Sequence, residues 1–133
     1  MTVQQWVDAY AQAWRNRDAD AAASLFVDDC LYREHPLQEP HRGAEGVRSY
    51  WANATATQDR VDVRMGRPVE SSDGRRAAVE FWVRMLNSDT EVTLIGILFL
   101  RFTETGAAPS CGKRGSSRQV TTLRTKAGAS RQF

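Results

Sequence analysis

The sequence predicts an α+β protein in which helices come first and an antiparallel meander follows, the helices covering one face of a curved, mostly antiparallel sheet. Three observations carry this. Residues 3–14 hold an apolar stripe of helical period, residues 76–86 alternate with the period of a strand, and residues 91–103 are apolar on both strand faces. At 133 residues, with 41% hydrophobic and 26% charged residues, the chain is expected to be one domain with a sizeable core.

From Thr2 to Asn16, Val3, Trp6, Val7, Tyr10 and Trp14 recur at spacings of three and four, and Thr2 is a natural N-cap. Asp18 or Asp20 caps a second helix expected to reach about Phe26, with Leu25 and Phe26 on its apolar face. Val27-Asp28-Asp29 reads as a turn. A short strand is expected over Cys30–His35, stopped by Pro36, which has no amide hydrogen to give a ladder. A polar loop, Leu37–Gly43, leads to a third helix carrying Val47, Tyr50 and Trp51.

Residues 58–69 suit a strand with Val61, Val63 and Met65 on one side. Asp73-Gly74 marks a hairpin turn. Arg76–Leu86 places Ala77, Val79, Phe81, Val83 and Met85 on one face, with Glu80, Trp82 and Arg84 opposite; Glu80 and Arg84 suit a surface or interface ion pair. Glu91–Thr103 sets Val92, Leu94, Leu98, Leu100 and Phe102 against Ile95, Ile97 and Phe99. A strand apolar on both faces needs cover on both, which predicts a homodimer.

Charge is unevenly spread. Residues 1–103 hold twelve arginines, no lysine and fifteen acids; residues 104–133 hold four arginines, two lysines and one acid. A solvated basic end is the economical reading, since only Phe133 offers an aromatic ring there and no base-stacking platform forms; no nucleic acid is expected. The start, MTVQQWVDAYAQAW, has no basic n-region, and the longest apolar run, Leu94–Leu100, is too short to span a bilayer, so neither a signal peptide nor a membrane partner is expected. Cys30 and Cys111 form no disulfide framework or metal spacing, which suits a reduced, cytoplasmic protein with no metal and no cofactor.

Ionisable groups concentrate in CLYREHPLQEPHRGAEGVRSYW, residues 30–51, which contains both histidines of the chain. Glu34 and His35 are the candidate general bases: a neutral imidazole suits the role, as does a carboxylate in an apolar pocket. Successive strand residues face opposite sides, so only one of them faces the pocket unless a bulge intervenes. The competing reading pairs Glu34 with Arg33 or Arg48 at the rim. His41 is expected to be solvated on its loop. No phosphate loop, nucleophile elbow or dinucleotide fingerprint is present.

The order Leu25-Phe26 with Asp28-Asp29, Glu34-His35-Pro36, Glu39-Pro40, Gly43, Val47-Arg48 with Tyr50-Trp51, and Leu100-Arg101-Phe102 resembles the nuclear transport factor 2-like superfamily. More narrowly, it resembles the SnoaL-like proteins, which include polyketide cyclases and are similar to the ketosteroid isomerases. The resemblance covers roughly residues 3–104 and implies a cone-shaped fold, three N-terminal helices closing a sheet around a deep pocket. For the isomerases it implies proton transfer next to a carbonyl: a carboxylate before a proline as base, with a phenol and a protonated acid donating to the enolate oxygen.

Carried onto this chain, Tyr10 takes the phenol's place, and His35, with Glu34 adjacent, takes the base's. Leu98 takes that of the late-strand acid and cannot donate. Loss of one such donor costs about a hundred- to a thousandfold in rate, so a steroid isomerase is not expected. The resemblance implies a pocket for a small apolar, carbonyl-bearing ligand, with Tyr10 and Glu34 or His35 as the catalytic candidates of an isomerase, cyclase or hydratase. Trp14, Tyr32, Trp51, Phe81 and Leu98 are the expected pocket-lining residues. The alternative is a non-catalytic binding or dimerisation module whose cavity is filled by Trp14, Trp51, Phe81 and Leu98.

After Glu104-Thr105-Gly106 the resemblance stops, and residues 107–133 form an atypical basic tail. GC-rich codons for Pro109–Gly115, read in a shifted frame, can give Glu-Leu-Arg-Glu-Glu-Gly, close to the family's last strand. That motivates the hypothesis of an out-of-frame translation from about Ala107, yielding an inactive product, which the coding DNA tests. Residues 120–125 are β-branched enough to act as a replacement strand.

Overall fold

A computed structural model describes residues 1–34 and 37–102, together with the backbone of the strand over residues 117–127. The expectations for His35 as a base, for the Pro36 stop, for Cys111 and for residues 107–116 and 128–133 lie outside the described residues.

Helix α1, Val3–Arg15, begins with a capping box. Gln5 N donates to Thr2 Oγ1 at 3.1 Å, and Thr2 N donates to Gln5 Oε1 at 2.8 Å. Its apolar stripe buries Trp6, Val7, Tyr10, Ala11, Ala13 and Trp14. Helix α2 spans only Ala19–Ala23, capped by Asp18, whose carboxylate accepts from Ala21 N at 3.0 Å. The expectation that it reaches Phe26 is corrected. Ser24 ends it, donating its hydroxyl to Ala21 O at 2.7 Å, and Leu25 and Phe26 are buried from outside the helix.

Strand β1 is Phe26–Arg33, so the predicted turn at Val27-Asp28-Asp29 is strand. The physical reason is an irregularity: the register against its parallel neighbour shifts between Phe26 and Leu31, which leaves Asp28 and Asp29 exposed among residues that otherwise pair. The predicted loop likewise contains a two-residue strand, β2, His41–Arg42, which pairs with β1 through Tyr32↔His41 and Leu31↔Arg42. Gly43 follows at φ +70°, and a Cβ there would meet Asp28 O at 2.8 Å. Only glycine lets the chain turn this tightly against β1 into helix α3, Gly43–Thr55.

The remaining strands are β3 (Gln58–Met65), β4 (Val69–Glu70), β5 (Arg76–Asn87), β6 (Thr90–Phe102) and β7 (Ser117–Ala127). They form one seven-stranded sheet in the order β2-β1-β7-β6-β5-β3, with β4 beside β5; the β1–β7 pair is parallel and the others antiparallel. The single strand expected over 58–69 is thus two, separated by residues 66–68. In β5 the odd positions Ala77, Val79, Phe81, Val83 and Met85 are buried, while Glu80, Trp82 and Arg84 are exposed. In β6, Leu94, Leu98 and Leu100 are buried, whereas Ile95 and Phe99 on the opposite face remain exposed.

Helices α1 and α3 press Tyr10, Trp14 and Trp51 onto the inner sheet face, beside Phe81, Val83 and Leu98. Cys30 lies in this core; burial, then the nearby Asp29 carboxylate, pushes its thiol up to about 11. No helix among the described residues is long and apolar enough to cross a membrane.

Candidate functional site

A cavity of about 580 Å³ opens between α3 and the inner face of the sheet. Its apolar wall is Ala54 of α3, Met85 of β5, and Val92 and Leu94 of β6. Its polar groups are Glu34, just past β1, His41 of β2, Ser49, Tyr50 and Asn53 of α3, Gln58 of β3 and Asn87 of β5. Glu34 and His41 meet because β2 returns antiparallel along β1; His41 Nε2 lies 3.6 Å from Glu34 Oε1. That separation is beyond a good hydrogen bond but well within Coulombic reach. The imidazole stacks on Tyr50, with ring centres 4.7 Å apart and planes at 29°.

His41 is therefore not the solvated loop residue that the sequence suggests. It is half-buried, paired in the sheet and on the cavity wall. Arg48, one expected rim partner of Glu34, is engaged elsewhere, donating to Asp20 at 2.6 Å and to Glu45.

Tyr10 and Tyr32 sit deeper, both fully buried, with their hydroxyls 3.2 Å apart. Tyr32 packs on Tyr50 at 5.1 Å between ring centres, so aromatic contact runs from the core to the cavity wall. Trp14, Trp51, Phe81 and Leu98 are buried in the core. Trp14 packs edge-on to Trp51 at 5.1 Å and tilted to Phe81 at 5.8 Å. The indole N–H of Trp51 finds no protein acceptor among the described residues.

Three carboxamides of the cavity wall, Asn53, Gln58 and Asn87, were missed by sequence reasoning. Gln58, itself buried, accepts a hydrogen bond at its Oε1 from Trp14 Nε1 at 3.1 Å. Asn87 accepts at its Oδ1 from Thr57 Oγ1 at 2.6 Å. Among the described residues no group of three or more His, Cys, Asp or Glu side chains is placed to hold a metal ion.

Helices on one face of a mostly antiparallel sheet, with a polar-walled cavity beneath the third helix, define a small α+β domain. The chain belongs to the SnoaL-like domain family, whose model matches residues 7–108. No curated protein matches it. It is similar in structure to SalBIII, an epoxide hydrolase/cyclase-like enzyme with a role in pyran ring formation in the polyether salinomycin, at 17% identity and a TM-score of 0.74 over 92% of this chain and 89% of that one. A hypothetical protein from Catenulispora acidiphila with a ketosteroid isomerase-like fold, solved with trimethylamine, is 18% identical, with a TM-score of 0.73 over 92% of this chain and 86% of that one. A ketosteroid isomerase-like protein from Erwinia carotovora atroseptica is 16% identical, with a TM-score of 0.68 over 92% of this chain and 93% of that one. At these identities the likeness is one of fold.

Proposed function

We propose that the cavity binds a small apolar ligand bearing a carbonyl, and that Glu34 moves a proton at the carbon beside that carbonyl. The observation that carries this reading is a hollow of about 580 Å³ with an apolar floor, onto which a carboxylate, an imidazole and three carboxamides converge. The core filled by Trp14, Trp51, Phe81 and Leu98 supports the second reading, a non-catalytic module, and the cavity beside it supports the first. Glu34 takes the proton as carboxylate and returns it to the same or another carbon, the pattern of an isomerase or cyclase. Neither Tyr10 nor Tyr32, whose hydroxyl it meets, lines the cavity; Tyr10 acts as a positioning residue through the Tyr32–Tyr50 ring contact. His35 stays the competing base. Deuterium exchange into 2-tetralone, a ketone with acidic α-protons and the bulk of a small bicycle, tests the reading without knowledge of the natural substrate. Wild-type protein, Glu34→Gln, His35→Ala and Tyr10→Phe form the series. Exchange at the buffer rate with 2-tetralone bound would contradict the catalytic reading and leave the binding module.

A second proposal concerns assembly. Trp82, Ile95 and Phe99 are 41%, 42% and 43% exposed on the outer sheet face, and Trp82 and Ile95 stand opposite each other in register. Burial of apolar area stabilises by about 25 cal/mol per Å², so exposed aromatic and branched side chains on neighbouring strands favour a self-complementary dimer. Light scattering after gel filtration at micromolar concentration should give twice the chain mass, and Trp82→Glu with Phe99→Glu should halve it. A wild-type monomer would remove the proposal.

A further inference from the structure

We infer that Gln58 and Asn87 form a paired N–H donor site for the carbonyl oxygen of the ligand, supplying the donor that Leu98 cannot. The inference rests on the pocket reading above and adds which side chains hold the oxygen. Three observations carry it.

The first is register. Gln58 opens β3 and Asn87 closes β5, and they are direct cross-strand partners, so both side chains stand on the same sheet face. Both line the cavity.

The second is orientation. A carboxamide has an acceptor end and a donor end. An indole N–H can only donate, so the bond from Trp14 Nε1 fixes which end of Gln58 is oxygen. At the other end of the pair the Thr57 hydroxyl donates to Asn87 Oδ1, an arrangement that a hydroxyl, able also to accept, does not by itself impose. With both oxygens occupied, both NH₂ groups are the ends left to face the cavity, and among the described residues neither donates to a protein acceptor.

The third is rigidity. Gln58 is buried, and Arg17 donates to its main-chain oxygen at 2.8 Å, so the donor pair is held by sheet, indole and guanidinium before any ligand arrives. Donors already in place at a partly apolar wall are worth more to a developing negative oxygen than donors that must be reoriented. The ligand class follows: an acceptor oxygen, a ketone or its enolate, with an apolar body against Met85, Val92 and Leu94.

The test uses 2-tetralone and tetralin, which share a bicyclic skeleton and differ in the carbonyl. Dissociation constants are measured by titration calorimetry on the full chain. Gln58→Glu and Asn87→Asp keep the acceptor oxygen that Trp14 or Thr57 needs and replace the donor with a second acceptor. Each should weaken 2-tetralone about tenfold, the scale of one hydrogen bond plus an unfavourable oxygen–oxygen contact, and change tetralin less than twofold. Trp14→Phe frees the amide to turn over and should weaken 2-tetralone about threefold while sparing tetralin. If Gln58→Glu melts early, Asn87→Asp, at the half-buried end of the pair, gives the same reading. Unchanged 2-tetralone affinity in both acidic variants, or equal weakening of both probes, overturns the donor pair. Failure of 2-tetralone to bind the wild type contradicts the pocket reading itself, a separate outcome.

Discussion

Glu34→Gln should lower the rate of deuterium exchange into bound 2-tetralone by about a hundredfold or more, because a positioned general base contributes ~10²–10⁴. The substitution is nearly isosteric. It keeps a polar group at the cavity wall beside His41 and removes the basic lone pair, so binding of 2-tetralone should change less than the rate. His35→Ala should leave the rate within a few-fold if Glu34 is the base. The opposite pattern, with His35→Ala inactive and Glu34→Gln active, would move the base one residue along the chain while preserving the reaction. Proton NMR of the α-protons reads all these outcomes directly.

Trp14→Ala should destabilise the fold by about 3–5 kcal/mol, the usual cost of removing a buried aromatic side chain. Trp14 is buried, touches the rings of Tyr10, Trp51 and Phe81, and donates the bond that holds Gln58. Removing it opens a hole between α1 and the sheet and leaves the Gln58 oxygen without a donor. Trp14→Phe should cost less, about 1 kcal/mol for the hydrogen bond together with a smaller packing loss. Urea unfolding followed by circular dichroism gives both numbers. A Trp14→Ala loss below about 1 kcal/mol would contradict the packing described here.

Both substitutions probe the part of the molecule that the sequence makes most readable. The period-3.6 stripe from Trp6 to Trp14 specifies α1, and the strict alternation from Ala77 to Met85 specifies β5, because each pattern is long enough for one period to win. The two-faced composition of β6 anticipates an inner row, Leu94, Leu98 and Leu100, and an outer row led by Ile95 and Phe99. Short elements carry no period. Two residues, His41 and Arg42, cannot announce β2, and the acidic pair Asp28-Asp29 imitates a turn where the chain is an irregular strand.

The cavity wall follows the same logic. Glu34 and the histidines draw attention because they ionise. Gln58 and Asn87 do not ionise, lie at opposite ends of two strands, and acquire meaning only when the β3–β5 register sets them side by side. The orientation of Gln58 depends on Trp14, forty-four residues away in the chain. A helix–strand contact of that separation has no local signature.

The central claim is that the hollow beneath α3 is where a ligand sits. A titration of ¹⁵N-labelled protein with 2-tetralone tests it most directly, since the side-chain amides of Gln58, Asn87 and Asn53 report alongside the backbone of Tyr50, Met85, Val92 and Leu94. The account predicts saturable shifts concentrated on those residues, with the Gln58 and Asn87 NH₂ signals among the largest. Shifts confined to the outer face around Trp82, Ile95 and Phe99, with the Gln58 and Asn87 amides unmoved, would contradict it.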